Sequence, residues 1–310
     1  MQLKHIQSTT FQAKVTPGIG KGNIMKIDTY VKIAWKVGFM RLLKNAGLVY
    51  STIFILINAY AITFPDQFPD WGWLGFWIPI FLSFLLSIIL WFPKLEYSGK
   101  LVAPDTTIKI KVGNLFEQQE HLVIGTNDVF DTQTGEIIKA ESIQGQFLTK
   151  IYGGDTSKLD QEILAELTPH QHKEVIDSSK THGKNSRYPI GTTITLGNIN
   201  RRYYLTAYSS MGADLVCTGN TDSIIKSLDC LWDEIRRRGQ GYPISMPIVG
   251  SDLARTNLSR MTLIKIIAGS FILASKQRFI TRQLTILIHP RDIDDVNLYE
   301  IGDFLKSVSF

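Results

Sequence analysis

Two short segments of this 310-residue chain carry side chains whose types and spacing could do chemistry. One is VIGTNDVFDT, Val123 to Thr132, where an apolar β-branched run ends in Gly-Thr-Asn-Asp. The other is MPIVGSDLAR, Met246 to Arg255, where a similar run ends in Gly-Ser and a helical pattern follows. A strand that leads through glycine to a helix start presents unpaired backbone N–H groups at the positive end of a helix dipole, an arrangement that suits a phosphate. Asn127 and Asp128 add an amide and a carboxylate at the first outlet. Gly250, Ser251, Asp252 and Leu253 form the second, with Arg255 one turn into a helix expected over Leu253 to Ser275. The plain alternative is that Ser251 or Asp252 simply caps that helix.

Other chemistries find less support. His170 and His172 stand together in a polar stretch, while His121 and His289 lie inside apolar runs, so solvated loop or packed core is the expected place of each and no metal-ligand spacing appears. Cys217 and Cys230 are the two cysteines, too few for a disulfide framework. No catalytic residue, metal or cofactor is therefore expected.

The elements that must position the two outlets read as a layered α/β domain over residues 106–310. Strands are predicted at Thr107 to Val112, His121 to Gly125, Thr192 to Leu196, Tyr203 to Tyr208, Ile244 to Val249 and Leu284 to His289. Helices are predicted at Glu141 to Tyr152, Leu159 to Leu167, Asp222 to Arg238, Leu253 to Ser275 and Val296 to Ser307. Their alternation predicts a mixed or mostly parallel sheet covered on both faces, and ligands of such sheets bind beyond the carboxyl ends of the strands. The polar run at residues 168–187 reads as an exposed insertion loop.

Ahead of this domain the chain changes character. Residues 45–64 and 71–92 are long apolar stretches without a charged side chain, each sufficient to cross a hydrocarbon core that needs about 20 residues. The connecting PDQFPD suits a tight turn in water, giving an antiparallel transmembrane hairpin over residues 45–92. Residues 1–44 carry eight basic side chains against the single acid Asp28, the turn has none, and Lys94 and Lys100 follow the second stretch. That distribution keeps both termini cytoplasmic and the protein a multi-pass one of the inner (cell) membrane. Trp71, Trp73, Trp77 and Trp91 sit near the ends of the second stretch, as interfacial indoles do. Asn58 is expected to make one hydrogen bond inside the hairpin rather than to line a pore.

Residues 24–44 read as an interfacial amphipathic helix within the basic arm, and 93–105 as a linker. The net charge of +5 is thus a property of the arm, and nucleic-acid binding is not implied.

The order of segments after residue 105 resembles a macro domain, the ADP-ribose-binding fold. Gly113-Asn114-Leu115 is similar to the family's adenine-contacting turn, with Asn114 in place of the usual Asp. VIGTND places Asn127 where the family has its ribose-facing Asn, with Asp128 beside it. Ser142-Ile143-Gln144-Gly145 stands where the first glycine-rich phosphate loop would be, and Pro247 to Ser251 resembles the second. Asp252 departs from that pattern, since an acid beside a pyrophosphate repels it, and Arg255 could offset it.

Two membrane helices ahead of such a domain are similar to the transmembrane-macro effectors of type II Thoeris antiphage systems. The resemblance implies an α/β fold: a two-helix transmembrane hairpin plus a three-layer macro-like domain with a mixed central sheet. It implies that the ligand is an ADP-ribose derivative, such as histidine-ADP-ribose, made from NAD by a TIR-domain partner, and that a homo-oligomer of hairpins disrupts the bilayer. Tyr188, Arg201, Arg202 and Tyr242 are candidates to select the distal group of the ligand.

Two other readings remain open on the sequence. One is a membrane-tethered ADP-ribosyl hydrolase, for which Asp128 is the acid at hand, although the triple-glycine run that would flank such a site is missing. The other is a passive scaffold that binds a protein and no nucleotide.

Overall fold

The computed structural model describes residues 39–67, 72–91, 94–251 and 256–308. The expected flexible arm and most of the amphipathic helix, residues 1–38, lie outside the described residues, as do Trp71, Asp252, Leu253 and Arg255.

Two helices open the described chain, α1 (Phe39–Thr63) and α2 (Leu74–Trp91), joined by a 3-10 turn at Pro65–Gln67. The first starts six residues before the expected span, inside the segment read as an interfacial helix, so arm and span form one continuous helix there. The apolar spans Leu42–Thr63 and Leu74–Trp91 contain 22 and 18 residues, about 33 and 27 Å at 1.5 Å per residue. Only 6% and 17% of these spans is buried. Ile55, Ile62, Phe81 and Ile89 are each more than 60% exposed, which a core helix of a soluble domain would not tolerate. The pair therefore has the length and the outward-facing apolar surface of a transmembrane hairpin.

Small residues sit where the two helices meet. Ser83 and Ser87 are buried, and Ser87 Oγ donates to Leu42 O across the pair at 2.9 Å. Asn58 Nδ2 donates to Phe54 O of its own helix at 2.7 Å, one hydrogen bond inside the hairpin.

The remainder is a three-layer α/β domain. Its strands are β1 (Glu96–Leu101), β2 (Thr106–Val112), β3 (His121–Asn127), β4 (Val175–Ile176), β5 (Ser186–Arg187), β6 (Thr193–Asn198), β7 (Arg201–Met211), β8 (Cys217–Thr218), β9 (Ile244–Pro247) and β10 (Gln283–Ile288). The main sheet runs β1-β2-β10-β9-β3-β7-β6, with β8 pairing β7 off the end of that path. The strands β2, β10, β9, β3 and β7 are parallel neighbours, and β1 and β6 add antiparallel edges.

Helices α3 (Ile143–Tyr152) and α4 (Thr156–Leu167) cover one face, while α5 (Thr221–Arg238), α6 (Arg260–Gln277) and α7 (Leu298–Val308) cover the other. Alternation along β3 divides its side chains between the two cores: Val123 packs with Trp232, Ile267 and Phe271, and Leu122 and Ile124 pack with Phe147 and Ile163.

Three expectations need correction. The stretch 93–105 is not only a linker, because Glu96–Leu101 forms the antiparallel edge β1; its exposed, polar side chains hid an edge strand from a reading based on apolar runs. The helix expected from Leu253 starts at Arg260 instead, behind an N-cap at Ser259 whose hydroxyl accepts from Thr262 N at 3.1 Å. Residues 168–187 are not merely an exposed loop: they contain a 3-10 turn (Thr168–Lys173) and the β4–β5 hairpin, and Lys180 is buried.

Candidate functional site

β3 and β9 pair only over their first residues, His121 with Ile244 and Leu122 with Ser245. Pro247, lacking an N–H, ends β9. Beyond that point the strands part, and a cavity of about 540 Å³ opens at their carboxyl ends. Ligand pockets commonly measure some 300–1,000 Å³.

The cavity's floor is Gly125, Thr126 and Asn127 at the end of β3. One wall is the approach to α3, from Glu136 through Ser142 and Gln144 to Gln146, and the facing wall is Pro247 to Ser251. Tyr208, Ser209 and Cys217 close one side, and His289, Arg291 and Asp292 after β10 close another.

Local sequence explains this shape. The register between β3 and β7 slips so that Thr126 faces Ala207 while Asn127 faces Ser209, leaving Tyr208 as the extra residue of a bulge that turns toward the cavity. Ser142 begins α3 as its N-cap, its Oγ accepting from Gly145 N at 3.1 Å and donating to Lys139 O at 2.6 Å. The first turn of a helix has N–H groups without intrahelical partners; with Gly145 served by the cap, those of Ile143 and Gln144 remain, and both residues line the cavity. Gly250 adopts a φ of +89°, a left-handed conformation open to glycine at little cost, and there the backbone turns along the facing wall.

Asn127 is buried and its amide is bonded at both ends to Asp131. Its Oδ1 accepts from Asp131 N at 3.1 Å and its Nδ2 donates to Asp131 Oδ2 at 3.4 Å. Gln144 Nε2 donates to the backbone carbonyl of the same Asp131. Burial pushes the Cys217 thiol up, so it stays neutral at the cavity edge near neutral pH.

Of the residues expected to form the site, the structure brings Asn127, Ser142, Gln144, Gly250 and Ser251 together around one cavity. Gly145 lies behind that wall, packed against the backbone of Lys139 and Ala140. Asp128 turns away: its carboxylate accepts from Met211 N at 2.9 Å and from Arg187 Nη1 at 2.7 Å. Asn114 caps the 3-10 turn Leu115–Glu117 through a bond from Phe116 N at 3.0 Å, and Leu115 is buried in the core; neither lines the cavity. Asp252, Leu253 and Arg255 lie outside the described residues. The second outlet is also not a strand-to-helix junction, since α6 begins well after Gly250 behind its own cap.

Arg201, Arg202 and Tyr242 are at the opposite end of the strands, around His121, so they do not reach this cavity. Tyr188 packs edge-on against Phe130 instead of lining it. Sequence reading missed Asp131, which was in view within VIGTNDVFDT at the i+4 spacing of an Asn-anchored turn, and the group His289, Arg291 and Asp292, for which only its place after a strand gave a signal.

Residues 108–289 match the family described as Thoeris protein ThsA, Macro domain. Among solved structures the chain is similar to an Oceanobacillus iheyensis macrodomain with ADP, at 14% identity, covering 69% of this chain and 99% of that one with a TM-score of 0.45. It is also similar to a Trypanosoma brucei macrodomain in complex with ADP-ribose, at 10% identity, covering 63% and 69% with a TM-score of 0.42. No curated protein matches it.

Proposed function

The chain belongs to the family of the Thoeris protein ThsA macro domain, and from that premise we propose that it is a membrane-anchored sensor-effector of antiphage defence. In this reading the arm (1–44) and hairpin (45–92) fix the protein in the inner membrane with both termini in the cytoplasm, and the domain at 106–310 binds an ADP-ribose-derived signal. A TIR-domain partner supplies that signal from NAD, histidine-ADP-ribose being one such molecule. Binding rearranges a homo-oligomer, and the hairpins then breach the bilayer.

The observation that carries the reading is the convergence on one cavity of Asn127, of Ile143 and Gln144 in the first turn of α3, and of the left-handed turn at Gly250. Backbone donors at a helix start suit a pyrophosphate, and a buried amide suits ribose hydroxyls. Ser142 and Gln144 would act mainly by shaping that wall, and Gly250 and Ser251 by closing over the phosphates from the other side.

A hydrolase reading gains little from Asp128, whose carboxylate is occupied by Met211 N and Arg187 and does not line the cavity.

Calorimetry of the full chain in lipid nanodiscs against ADP-ribose tests the proposal. Asn127→Ala is expected to weaken binding about five- to tenfold, the range of one hydrogen bond. Absence of any binding by the wild type, or equal affinity in the variant, would overturn the site. The effector step is read by liposome leakage, which should depend on ligand; driving a population from 1:99 to 99:1 needs about 5.5 kcal/mol of differential affinity between assembly states.

A further inference from the structure

Next to the cavity lies a buried ion pair that the reading above does not use. The side chains of Lys180 and Asp131 are 0% and 1% exposed, with Nζ and Oδ2 3.2 Å apart. Such a pair costs free energy unless every proton and lone pair finds a partner. Here Lys180 Nζ also donates to His182 O and Lys184 O, both at 2.6 Å, so its three protons have three acceptors. Asp131 Oδ1 accepts from Lys184 N at 2.8 Å. Lys184 continues the clamp, its Nζ donating to Phe130 O at 2.8 Å. The segment Lys180 to Lys184, part of the insertion after α4, is thereby fastened to the turn that leaves β3.

The same Asp131 holds two amides that line the cavity. Its N–H meets Asn127 Oδ1 and its carboxylate takes Asn127 Nδ2, while its carbonyl takes Gln144 Nε2. If the Asn127 amide flipped, Oδ1 would face a carboxylate and Nδ2 would face an N–H, two repulsive contacts in place of two bonds. The carboxylate therefore fixes which end of the amide is donor and which is acceptor, and Lys180 compensates the buried charge that does so.

We infer that Asp131 and Lys180 are positioning residues for the ligand, setting the polarity of Asn127; the inference rests on the cavity being the ADP-ribose site. The insertion is thus part of the site although neither member of the ion pair lines it.

A double-mutant cycle in the full chain in nanodiscs tests this, with ADP-ribose affinity read by calorimetry and folding by thermal melting. The arms are Asn127→Ala, the charge-removing pair Asp131→Asn with Lys180→Met, and the triple variant. The pair is expected to weaken ADP-ribose about five- to tenfold with a cooperative melt retained, and the triple variant to bind no more weakly than Asn127→Ala, because groups acting through one side chain do not add. Wild-type affinity in the pair, or losses that multiply in the triple variant, would overturn the inference while leaving the site standing. Wild-type affinity in Asn127→Ala would instead overturn the site reading, and this inference with it. Should the pair fail to melt cooperatively, Asp131→Asn with Lys180→Gln, which removes both charges but keeps a donor for the His182 and Lys184 carbonyls, is read in the same cycle. Its Asp131→Asn change keeps the shape and an acceptor for Lys184 N, but sets an amide against Asn127 Nδ2 and so predicts the same loss.

Discussion

The amides of Asn127 and Gln144 are neutral, buried or half-buried, and each is held by a named partner, so a ligand placed in the cavity as proposed would meet donors and acceptors already oriented. At the far end of the same strand His121 shows the opposite use of burial. Burial first, and then the charges of Arg202 and Arg201, push its pKa down. Its Nδ1 accepts from Arg202 N at 3.2 Å, a bond that the cationic ring cannot make. The folded protein thus resists a proton that the unfolded chain accepts near pH 6.5, and this contribution to stability is present above that pH and lost as pH falls below it. Melting temperatures between pH 7.5 and 5.5 should fall more steeply in the wild type than in His121→Gln; parallel slopes would refute the assignment. At this scale the sequence was informative where a residue stands at a strand end, as Asn127 does, or shortly past one, as Gly250 does. It was uninformative where role depends on a distant partner: nothing in the polar run around Lys180 marks it as a buried cation, because its counter-charge is 49 residues away.

Helices and strands with a regular apolar period were legible. α5 reads plainly because Ile224, Leu228, Leu231 and Ile235 recur at helical spacing and are all buried, and β3 because its side chains serve two cores. The start of α6 was misplaced because Ser251 and Asp252 are cap-type residues as well, and were taken as the boundary in place of Ser259, which caps the helix. β1 was missed because an edge strand with one solvated side has no apolar run to betray it. The position of α3 depends on close approach: a Cβ at Gly145 would lie 2.4 Å from Lys139 O and 2.8 Å from Ala140 O, both backbone atoms that cannot rotate aside. Gly145→Ala is therefore expected to destabilise the domain by about 1–3 kcal/mol, as overpacking does, and to weaken ADP-ribose by moving the wall that carries Ile143 and Gln144. Urea unfolding beside calorimetry checks both; a variant with unchanged midpoint would show that the helix can shift without cost.

Across the whole molecule the cavity and the two apolar helices are joined by a short route. His289, Arg291 and Asp292 line the cavity, and the chain then passes through a 3-10 turn at Pro290–Asp295 into α7. Arg260 at the start of α6 pairs with Asp292 at 3.0 Å and Asp295 at 2.7 Å, and Lys265 pairs with Glu300 at 2.6 Å. Tyr299 Oη in α7 donates to Trp91 O, the last residue of α2, at 2.8 Å. If the hairpins act as proposed, Tyr299→Phe should leave ADP-ribose affinity within about twofold yet reduce ligand-dependent leakage, since one neutral hydrogen bond is removed far from the cavity; undiminished leakage would place the coupling elsewhere. The hairpin was legible from its uncharged runs, while this link was not, because it joins residues 208 positions apart. Only residues 92–95 separate Trp91 from Glu96, so the two are at most roughly 18 Å apart along a fully extended chain. With the hairpin in a bilayer, every copy rides at one height with the same side down, and tumbling is reduced to rotation about the membrane normal. Neighbours then search for one another in a sheet and not in a volume, so a lateral patch too small to hold freely diffusing molecules together can suffice to gather them.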